Sequence, residues 1–552
     1  MMRRAALLSA MALGCSSPEP AFPTARFTNA PPATIVNDRL DVPKPPKERL
    51  GLQNSYAFNV LFRRPIQRPM EVIPHRRAKG ISSIDEVPDS TWFTNRGPLT
   101  PDQVRTGPVT VDSPELHFPW TVKSNKYGGA TAGFIITDAR GIKYQLKLDD
   151  PNFPEVMTGA DVVSARLMWA VGYNVPEDSI VYFRKQDLRL APDAVTKDRF
   201  GGEQSHLSER GFEKELAKAA HTRDGRYRAT ASRWLDGKAV GDPGSHGTRK
   251  DDPNDRIPRE LRRDHRGLFV FYAWIDMVDV WPGNFLDMWI ADPTDPRRHY
   301  LKHYMLDFDS SLGAMGSVWY DMRRSYTYRL DWTSFSSSLF TLGIYVPEWE
   351  RRKMVSIPGV ATLFTAVGFD PPNWHNDLPY LPFQEKDPVD AFWAAKIVAR
   401  FTREQIHAAV EAGRYSDPRA TEYITDTLYA RARESVRYWY GQVNPIDQFS
   451  IAGGQLCFDD LAIEQGFVRR NVATQYLVTA YDAAGRAIAA PLGTLAAPDG
   501  HSCTRLPGIG GTGDGYTIFE ITTIRPNFRR STYVHAAHDG SGGLRVIGVW
   551  RA

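Results

Sequence analysis

The sequence has few cysteines, little net charge and no long apolar run. Three cysteines in 552 residues exclude a disulfide-rich scaffold. The 68 basic and 64 acidic residues leave a net charge of +4, which gives no support for nucleic-acid binding. The apolar residues 5–14 are too few to span a bilayer. With 42% hydrophobic and 24% charged residues, the composition is that of a folded globular protein.

The N-terminus has the pattern of a secretory signal. Arg3 and Arg4 precede the apolar residues 5–14, and small residues then lead to Cys15. This pattern resembles a bacterial lipoprotein signal, in which the cysteine becomes the lipidated first residue of the mature chain. The resemblance implies a bacterial cell-envelope protein that is anchored by lipid at Cys15, at the outer membrane or the periplasmic face. A plain cleaved signal is the alternative.

Hydrophobic periodicity predicts an α+β fold. A small strand-rich part and a larger helical part are followed by an all-β domain. The predicted segments are a signal at 1–15, a Pro-rich spacer at 16–50, a loop-rich arm at 51–114, the strand-rich part at 115–190, the helical part at 191–445 and the all-β domain at 446–552.

Cys457 and Cys503 both fall within the predicted all-β domain. Export places a protein in an oxidising compartment, where two such cysteines are expected to form a disulfide. Chain-entropy reasoning makes this bridge worth roughly 4 kcal/mol. Two buried free thiols are the alternative.

Residues suited to phosphate binding occur in the strand-rich part. A predicted hairpin contains Gly128, Gly129 and Gly133, the next strand carries Lys147, and the helix after it carries Asp161. Glycines allow backbone N–H groups to approach a phosphate closely. A triphosphate also needs a fixed cation, which a strand lysine supplies.

Residues suited to binding a divalent metal occur later, in the helical part. Asp279 and Asn284 follow a predicted helix in the stretch DVWPGN, and Asp307 lies at the end of an apolar predicted strand in HYMLDFD. Magnesium prefers oxygen ligands of this kind. Asp309 lies two residues after Asp307, and neighbouring carboxylates raise each other's pKa unless a positive charge lies beside them.

This order of residues resembles the protein-kinase-like superfamily, especially its atypical HipA-like, phosphoinositide-kinase-like and secreted kinase branches. The stretches TGADVVSARLMWAVGYNVPE, HYMLDFDSSLG and YWYGQVNPIDQF also look like blocks of a group of exported bacterial lipoproteins with a kinase-like core. The resemblance covers roughly residues 115–450. It implies a kinase-like bilobal core and phosphoryl transfer from ATP, with Mg²⁺ or alternatively Mn²⁺ as the metal.

The resemblance also implies a role for each residue. Lys147 is expected to contact the nucleotide phosphates and Asp279 to act as the catalytic base. Asn284 and Asp307 are the expected metal ligands. The other expected nucleotide-binding positions are Gly128, Gly129, Gly133 and Asp161.

Departures from the kinase pattern leave other functions open. Met277 and Val278 stand where kinases have His-Arg, and Asp309 replaces the glycine of the Asp-Phe-Gly motif. The alternative function is therefore a catalytically inactive, kinase-like surface lipoprotein that acts as a binding or scaffold module. A metal-dependent hydrolase that uses Asp279, Asp307 and Asp309 is a third hypothesis.

The acid that would pair with Lys147 is ambiguous, because Glu155 and Asp161 both lie near the start of the predicted helix. Asp161 follows Thr158 by three residues, so a capping-box role competes with the pairing.

Overall fold

A computed structural model describes most of the chain. The described residues are 26–49, 51, 53–67, 70, 76–127, 131–198, 202–315, 322–331, 336, 340–341, 344, 348–469, 472–507, 515–540 and 543–551. They form a mixed α/β structure with two compact units. The larger unit comprises the described residues of Ala33–Ser82 and Glu86–Gln442, and the C-terminal unit those of Ser83–Asp85, Val443–Ala552 and the chain up to Pro32.

A seven-stranded sheet forms one part of the larger unit. Its strands are β1 (Trp120–Asn125), β2 (Gly133–Thr137), β3 (Lys143–Leu148), β4 (Asp178–Phe183), β5 (Leu188–Lys197), β6 (Glu203–His206) and β7 (Tyr227–Arg233). Their spatial order is β4-β7-β3-β2-β1-β5-β6. Strands β1 and β5 run parallel, and the other neighbouring pairs are antiparallel. Alternate residues such as Val122 and Leu146 are buried in one apolar core, as expected for strands with one covered face.

Helices make up most of the remainder of the larger unit. They are α1 (Gln53–Phe58), which continues through the π-helical Asn59–Arg63 into α2 (Arg64–Gln67), then α3 (Pro101–Thr106), α4 (Val156–Val171), α5 (Glu209–Leu216), α6 (Arg263–Ile275), α7 (Leu381–Gln384), α8 (Pro388–Val398), α9 (Arg403–Glu411) and α10 (Pro418–Gln442). Among the described helices, none has both the length and the apolar character needed to cross a membrane.

Helix α6 is buried along its whole length. Gly267 lets it approach α8 closely, since a Cβ at this position would lie 2.6 Å from the Trp393 ring. The indole of Trp274 donates to Leu428 O of α10 at 2.8 Å. Helix α6 therefore forms a fixed base for the loop that follows it.

The chain leaves α6 by a left-handed residue and returns through a hairpin. Asp276 has φ 55° and ends the helix. The hairpin consists of β9 (Phe285–Asp292) and β10 (Asp295–Met305). With β8 (Lys238–Ala239), which precedes α6 in the chain, it forms an antiparallel sheet in the order β10-β9-β8. Because β9 and β10 are paired along their lengths, the residues before β9 and after β10 are brought side by side.

The capping box expected at Thr158 does not form. Helix α4 begins at Val156, with Glu155 preceding it in a left-handed conformation. The side chain of Asp149, at the end of β3, accepts the backbone N–H groups of Glu155 and Thr158, each at 3.0 Å. An upstream acid therefore caps the helix, and Asp161 is not needed for that role.

Part of the predicted Pro-rich spacer lies along the larger unit. Val36 N donates to Asp89 O at 2.8 Å, and Val42 N donates to His299 O at 2.7 Å. Arg49 also forms an isolated parallel bridge with Gly241. The described residues 33–49 are thus hydrogen-bonded to the body of this unit.

Two antiparallel sheets form the C-terminal unit. Its strands are β11 (Ile446–Ala452), β12 (Gln455–Asp460), β13 (Gln475–Tyr481), β14 (Leu492–Leu495), β15 (His501–Arg505), β16 (Tyr516–Arg525), β17 (Phe528–His538) and β18 (Leu544–Arg551), with the single-turn helix α11 (Leu461–Glu464) between β12 and β13. The sheet orders are β11-β12-β15 and β14-β13-β16-β17-β18. Cys457 and Cys503 form a disulfide, which confirms the predicted pairing.

Residues distant in sequence complete the C-terminal unit. Asp85 and Asp447 both contact the buried guanidinium of Arg551, at 3.2 and 2.8 Å. Ser83 O accepts the N–H of Val549 at 2.8 Å. A short stretch far upstream of the predicted all-β domain therefore supplies a charge that this unit needs.

His535 is buried in the C-terminal unit and is kept neutral there. Its Nδ1 lies 2.9 Å from the hydroxyl of Tyr516, and its ring contacts Phe27 edge-on. Burial lowers the pKa of His535 to about 4. Since an unfolded histidine titrates near pH 6.5, the unfolded chain binds more protons than the folded chain between these two values.

We expect the His535 contribution to make the C-terminal unit less stable as the pH falls through this window. Between pH 7 and pH 4.5 the loss should be roughly 2–3 kcal/mol. Denaturant unfolding of the wild type and of His535→Gln at both pH values measures it. The variant should lack this part of the pH dependence, and an equal dependence in both proteins would contradict the assignment.

Candidate functional site

The predicted site residues are carried by separate elements of the larger unit. Lys147 is near the end of β3, and Asp161 is in the second turn of α4. Asp279 and Asn284 lie between α6 and β9, and Asp307 directly follows β10. Contacts of Lys147, Asp161 and Asp307 with one another join the strand, the helix and the strand end.

Lys147 is a buried cation among three acids. Its Nζ lies 2.5 Å from Asp307 Oδ1, 3.1 Å from Asp161 Oδ2 and 3.7 Å from Asp309 Oδ2, and its side chain is 9% exposed. Burial alone would lower the pKa of Lys147, but the three carboxylates outweigh burial and raise it well above the usual value. Lys147 is therefore charged at neutral pH.

Asp161, and not Glu155, pairs with Lys147 in the structure. Glu155 instead accepts the backbone N–H of Ser416 at 2.8 Å. The other oxygen of Asp161, Oδ1, accepts the N–H of Phe308 at 3.0 Å. Asp161 thus fixes both the lysine and the chain segment that carries Asp307.

Asp279 and Asn284 are held against each other. Nδ2 of Asn284 donates to the backbone oxygen of Asp279 at 2.7 Å and to its Oδ2 at 3.2 Å. Asn284 O accepts the N–H of Leu306 at 2.9 Å, which joins this loop to the end of β10. Since Nδ2 is a donor only, Oδ1 is the amide atom that can bind a metal.

The pKa values of the four acids are separated by burial and by charge. Burial raises the pKa of Asp161 to about 7, against the opposing effect of Lys147. Burial and the negative charge of Asp307 together raise the pKa values of Asp279 and Asp309 to about 7. Burial would also raise the pKa of Asp307, but the adjacent Lys147 lowers it to about 2. Asp307 is therefore the most strongly ionised acid of the site.

Lys126 is a site residue that the sequence reasoning missed. Its Nζ lies 2.7 Å from Thr131 Oγ1. Burial, followed by the charge of Lys147, lowers the pKa of Lys126, while Asp307 and Asp309 oppose that effect. Its position in the sequence could have identified it, because Lys126 lies at the start of the glycine-containing turn in KSNKYGGATAG.

Of the three glycines predicted to bind nucleotide, only Gly133 belongs to the described part of the chain. Gly128 and Gly129 lie outside the described residues, as does Cys15. Gly133 pairs with Lys147 across β2 and β3. A Cβ at Gly133 would lie 2.0 Å from Leu146 O, so close strand packing accounts for glycine at this position.

A cavity of about 480 Å³ adjoins the charged cluster. Lys147 and Asp307 line its polar end together with Gln145 and Asp178. The remainder is lined by charged side chains such as Arg49, Arg233 and Asp242, by the linker after β7 and by apolar side chains. These include Trp234, Leu235, Gly237, Trp281, Phe285, Leu286, Met288 and Leu306.

Comparisons with known proteins give weak similarity to solved structures. No family model matches the chain, and no curated protein matches it. A solved structure, the crystal structure of a Helicobacter pylori proinflammatory kinase, CtkA, is similar at a TM-score of 0.29 with 11% sequence identity. The alignment covers 57% of this chain and 93% of that chain.

We expect Lys147→Met to destabilise the larger unit by about 3–5 kcal/mol, because it leaves buried carboxylates without their cation. Denaturant unfolding measures the loss. Adding Asp161→Asn should recover part of it, since the double variant removes one of the uncompensated charges. The exposed pair Lys123–Asp193 provides the matched control, and Lys123→Met should change stability by less than about 1 kcal/mol. Strict additivity of Lys147→Met and Asp161→Asn would contradict the assigned contact.

Proposed function

We propose that the larger unit is a kinase-like core that binds ATP with a divalent metal and transfers a phosphoryl group to an acceptor. The observation that carries this proposal is that Asp161 and Asp307 both contact Lys147, while Lys147 and Asp307 line one cavity. Asn284 is joined to this cluster through the N–H of Leu306, the residue before Asp307. Lys147, Asp161, Asn284 and Asp307 lie on a strand, a helix, a loop and a strand end, in the same chain order as in protein kinases.

The charge of the cluster favours a cation. Asp161, Asp307 and Asp309 interact with the amines of Lys126 and Lys147. A fourth carboxyl group, that of Asp279, interacts with Asp307 and Asp309. A divalent metal would offset the excess negative charge, and Mg²⁺ prefers such hard oxygen ligands. Asp307 and Asn284 would hold the metal, which would neutralise charge on the phosphates.

The cavity suits the remainder of a nucleotide. A volume of about 480 Å³ falls within the range of small-molecule sites. Its apolar lining, with Phe285 and Met288, suits a purine ring, while Lys147 lies at the end where phosphates would be. Trp234 N donates to Lys143 O at 2.9 Å, which fixes the linker beside the sheet.

Asp279 would orient or deprotonate the acceptor. Its carboxylate is held by Asn284, one of the proposed metal ligands. A carboxylate positioned beside a metal ligand in this way would accept the proton of an acceptor hydroxyl as the phosphoryl group is transferred.

One observation favours the alternative of binding without transfer. Asp309 replaces a glycine of the kinase motif and lies 3.7 Å from Lys147, where a phosphate would otherwise be its neighbour. In a binding or scaffold module, Asp309 would occupy the place beside Lys147 that a phosphate needs for transfer.

For the chain before the described residues we propose export and lipid attachment at Cys15. The support is the charged start, the short apolar run and the small residues that precede the cysteine. The disulfide between Cys457 and Cys503 is compatible with an oxidising compartment.

We expect ATP with Mg²⁺ to raise the melting temperature of the full chain. A ligand at a hundredfold excess over its Kd stabilises the folded state by about 2.7 kcal/mol. Asp307→Asn should lose the Mg²⁺-dependent part of the shift, and Lys147→Met should lose most of it. The exposed variants Asp193→Asn and Lys123→Met should keep the wild-type shift. Absence of any shift in the wild type would overturn the proposal.

Turnover is measured in the same samples, as ADP formation and as transfer of the γ-phosphate label to the protein itself or to added envelope proteins. Asp279→Asn should keep the thermal shift and lose about 10²–10⁴-fold in turnover. A thermal shift with no turnover in the wild type would favour the binding module. Hydrolysis of phosphate esters without nucleotide would favour the metal-dependent hydrolase.

We expect the wild-type chain, expressed in a Gram-negative bacterium, to sediment with the membrane fraction and to incorporate a labelled fatty acid. Cys15→Ser should remove the label and the sedimentation, because position 15 then has no thiol to carry lipid. Ser17→Ala is the matched control and should behave as the wild type. Unchanged labelling of Cys15→Ser would contradict the lipid anchor.

A further inference from the structure

A second group of metal-binding residue types lies in the C-terminal unit. Cys457 on β12 faces Cys503 on β15, and Asp459 faces His501 two residues further along the same strands. Residues two apart in a strand point to the same face of a sheet. One ligand atom of each of Cys457, His501 and Cys503 lies within 4.8 Å of the other two. We call these three residues the Cys2His cluster.

The histidine of the cluster is oriented by a carboxylate. Nδ1 of His501 lies 2.6 Å from Asp459 Oδ1, so Nδ1 carries the proton and donates it to the acid. The other nitrogen, Nε2, then presents its lone pair, and it lies 3.7 Å from Cys503 Sγ. A carboxylate on one imidazole nitrogen and a metal on the other is a recurrent arrangement in zinc sites.

The cluster is accessible and lies in an acidic environment. His501 is exposed, and both cysteines are partly exposed. Strand β15 is at the edge of its sheet. Glu464, Asp459 and Asp499 all interact electrostatically with His501, and Glu464 also interacts with both aspartates. A cation can therefore reach the cluster from solvent and is favoured there by charge.

We propose that the Cys2His cluster binds one Zn²⁺-class ion when Cys457 and Cys503 are reduced. Two thiolates and a neutral imidazole are typical ligands for Zn²⁺, and their combined charge of about −2 matches that of the ion. Asp459 is a positioning residue that acts through His501. The fourth coordination position is left for water or for a further ligand.

The disulfide and the metal complex are alternative states of one cysteine pair. A thiol reductant converts the disulfide to two cysteine thiols and is itself oxidised to a disulfide, so two electrons and two protons are transferred. Binding of the ion then releases the two thiol protons to solvent. Zn–S bonds of about 2.3 Å require the sulfurs to separate from bonding distance, which rotation of the side chains allows while β12 and β15 stay paired.

The test uses Co²⁺ as a spectroscopic substitute for Zn²⁺ on the full chain. The protein is reduced with dithiothreitol, freed of reductant without air, and titrated. We expect one equivalent of Co²⁺ to produce thiolate-to-cobalt charge-transfer and tetrahedral bands, and Zn²⁺ to displace it. Oxidised protein should show neither band.

Variants test each assigned residue. Cys457→Ser should abolish the charge-transfer band, and His501→Ala should weaken binding at least tenfold. Asp459→Asn should weaken binding about 10–100-fold, as expected for an orienting partner. The matched controls are His538→Ala and Asp482→Asn, exchanges of the same types elsewhere in the C-terminal unit, which should bind as the wild type does.

Three results would overturn the proposal. They are absence of the charge-transfer band in the reduced wild type, unchanged affinity in His501→Ala, and equal binding by the oxidised protein. Circular dichroism of each sample verifies that β structure is retained after reduction. None of these readouts depends on nucleotide binding or on turnover in the larger unit.

Discussion

The buried ammonium group of Lys147 is the interaction on which the site of the larger unit depends. The Lys147 side chain is only 9% exposed, so its charge is stable only if acids surround it. Asp161 and Asp307 lie 3.1 and 2.5 Å from its Nζ. Because these acids belong to a helix and to a strand end, one lysine joins the sheet to both. Removal of either partner would change the protonation of the others, so the cluster responds as a unit.

Sequence order predicted which side chains meet, since Lys147 and Asp307 could be placed on strand ends from their apolar neighbours. It could not decide between Glu155 and Asp161. The deciding contact was the capping of α4 by Asp149, an acid outside the helix that moves the helix start to Val156. Local capping rules favour residues close in sequence, and this cap lies six residues before Glu155.

In the C-terminal region, too, the local sequence predicted the elements, whereas contacts between residues distant in sequence could not be predicted. Alternating apolar residues predicted its strands, and the cysteines indicated the bridge that the structure contains. The contribution of Ser83–Asp85 was not predictable, because nothing in that stretch marks it as the partner of Arg551. Pairings across several hundred residues leave no periodic signal in the sequence, since they depend on how the completed surfaces match.

Charge balance distinguishes the Lys147 cluster from the other buried ion pairs of the larger unit. Elsewhere in this unit, buried carboxylates face guanidinium groups, as in Arg249–Asp287 at 3.0 Å and Arg259–Asp255 at 2.5 Å, and these pairs are complete without a ligand. Around Lys147 the carboxyl groups outnumber the amines, and a cavity adjoins them. Burial of excess charge is costly unless something of opposite sign binds there. The raised pKa values of Asp161, Asp279 and Asp309 are one response to this imbalance. The cation that we propose for this site would be another, since it would let these acids ionise.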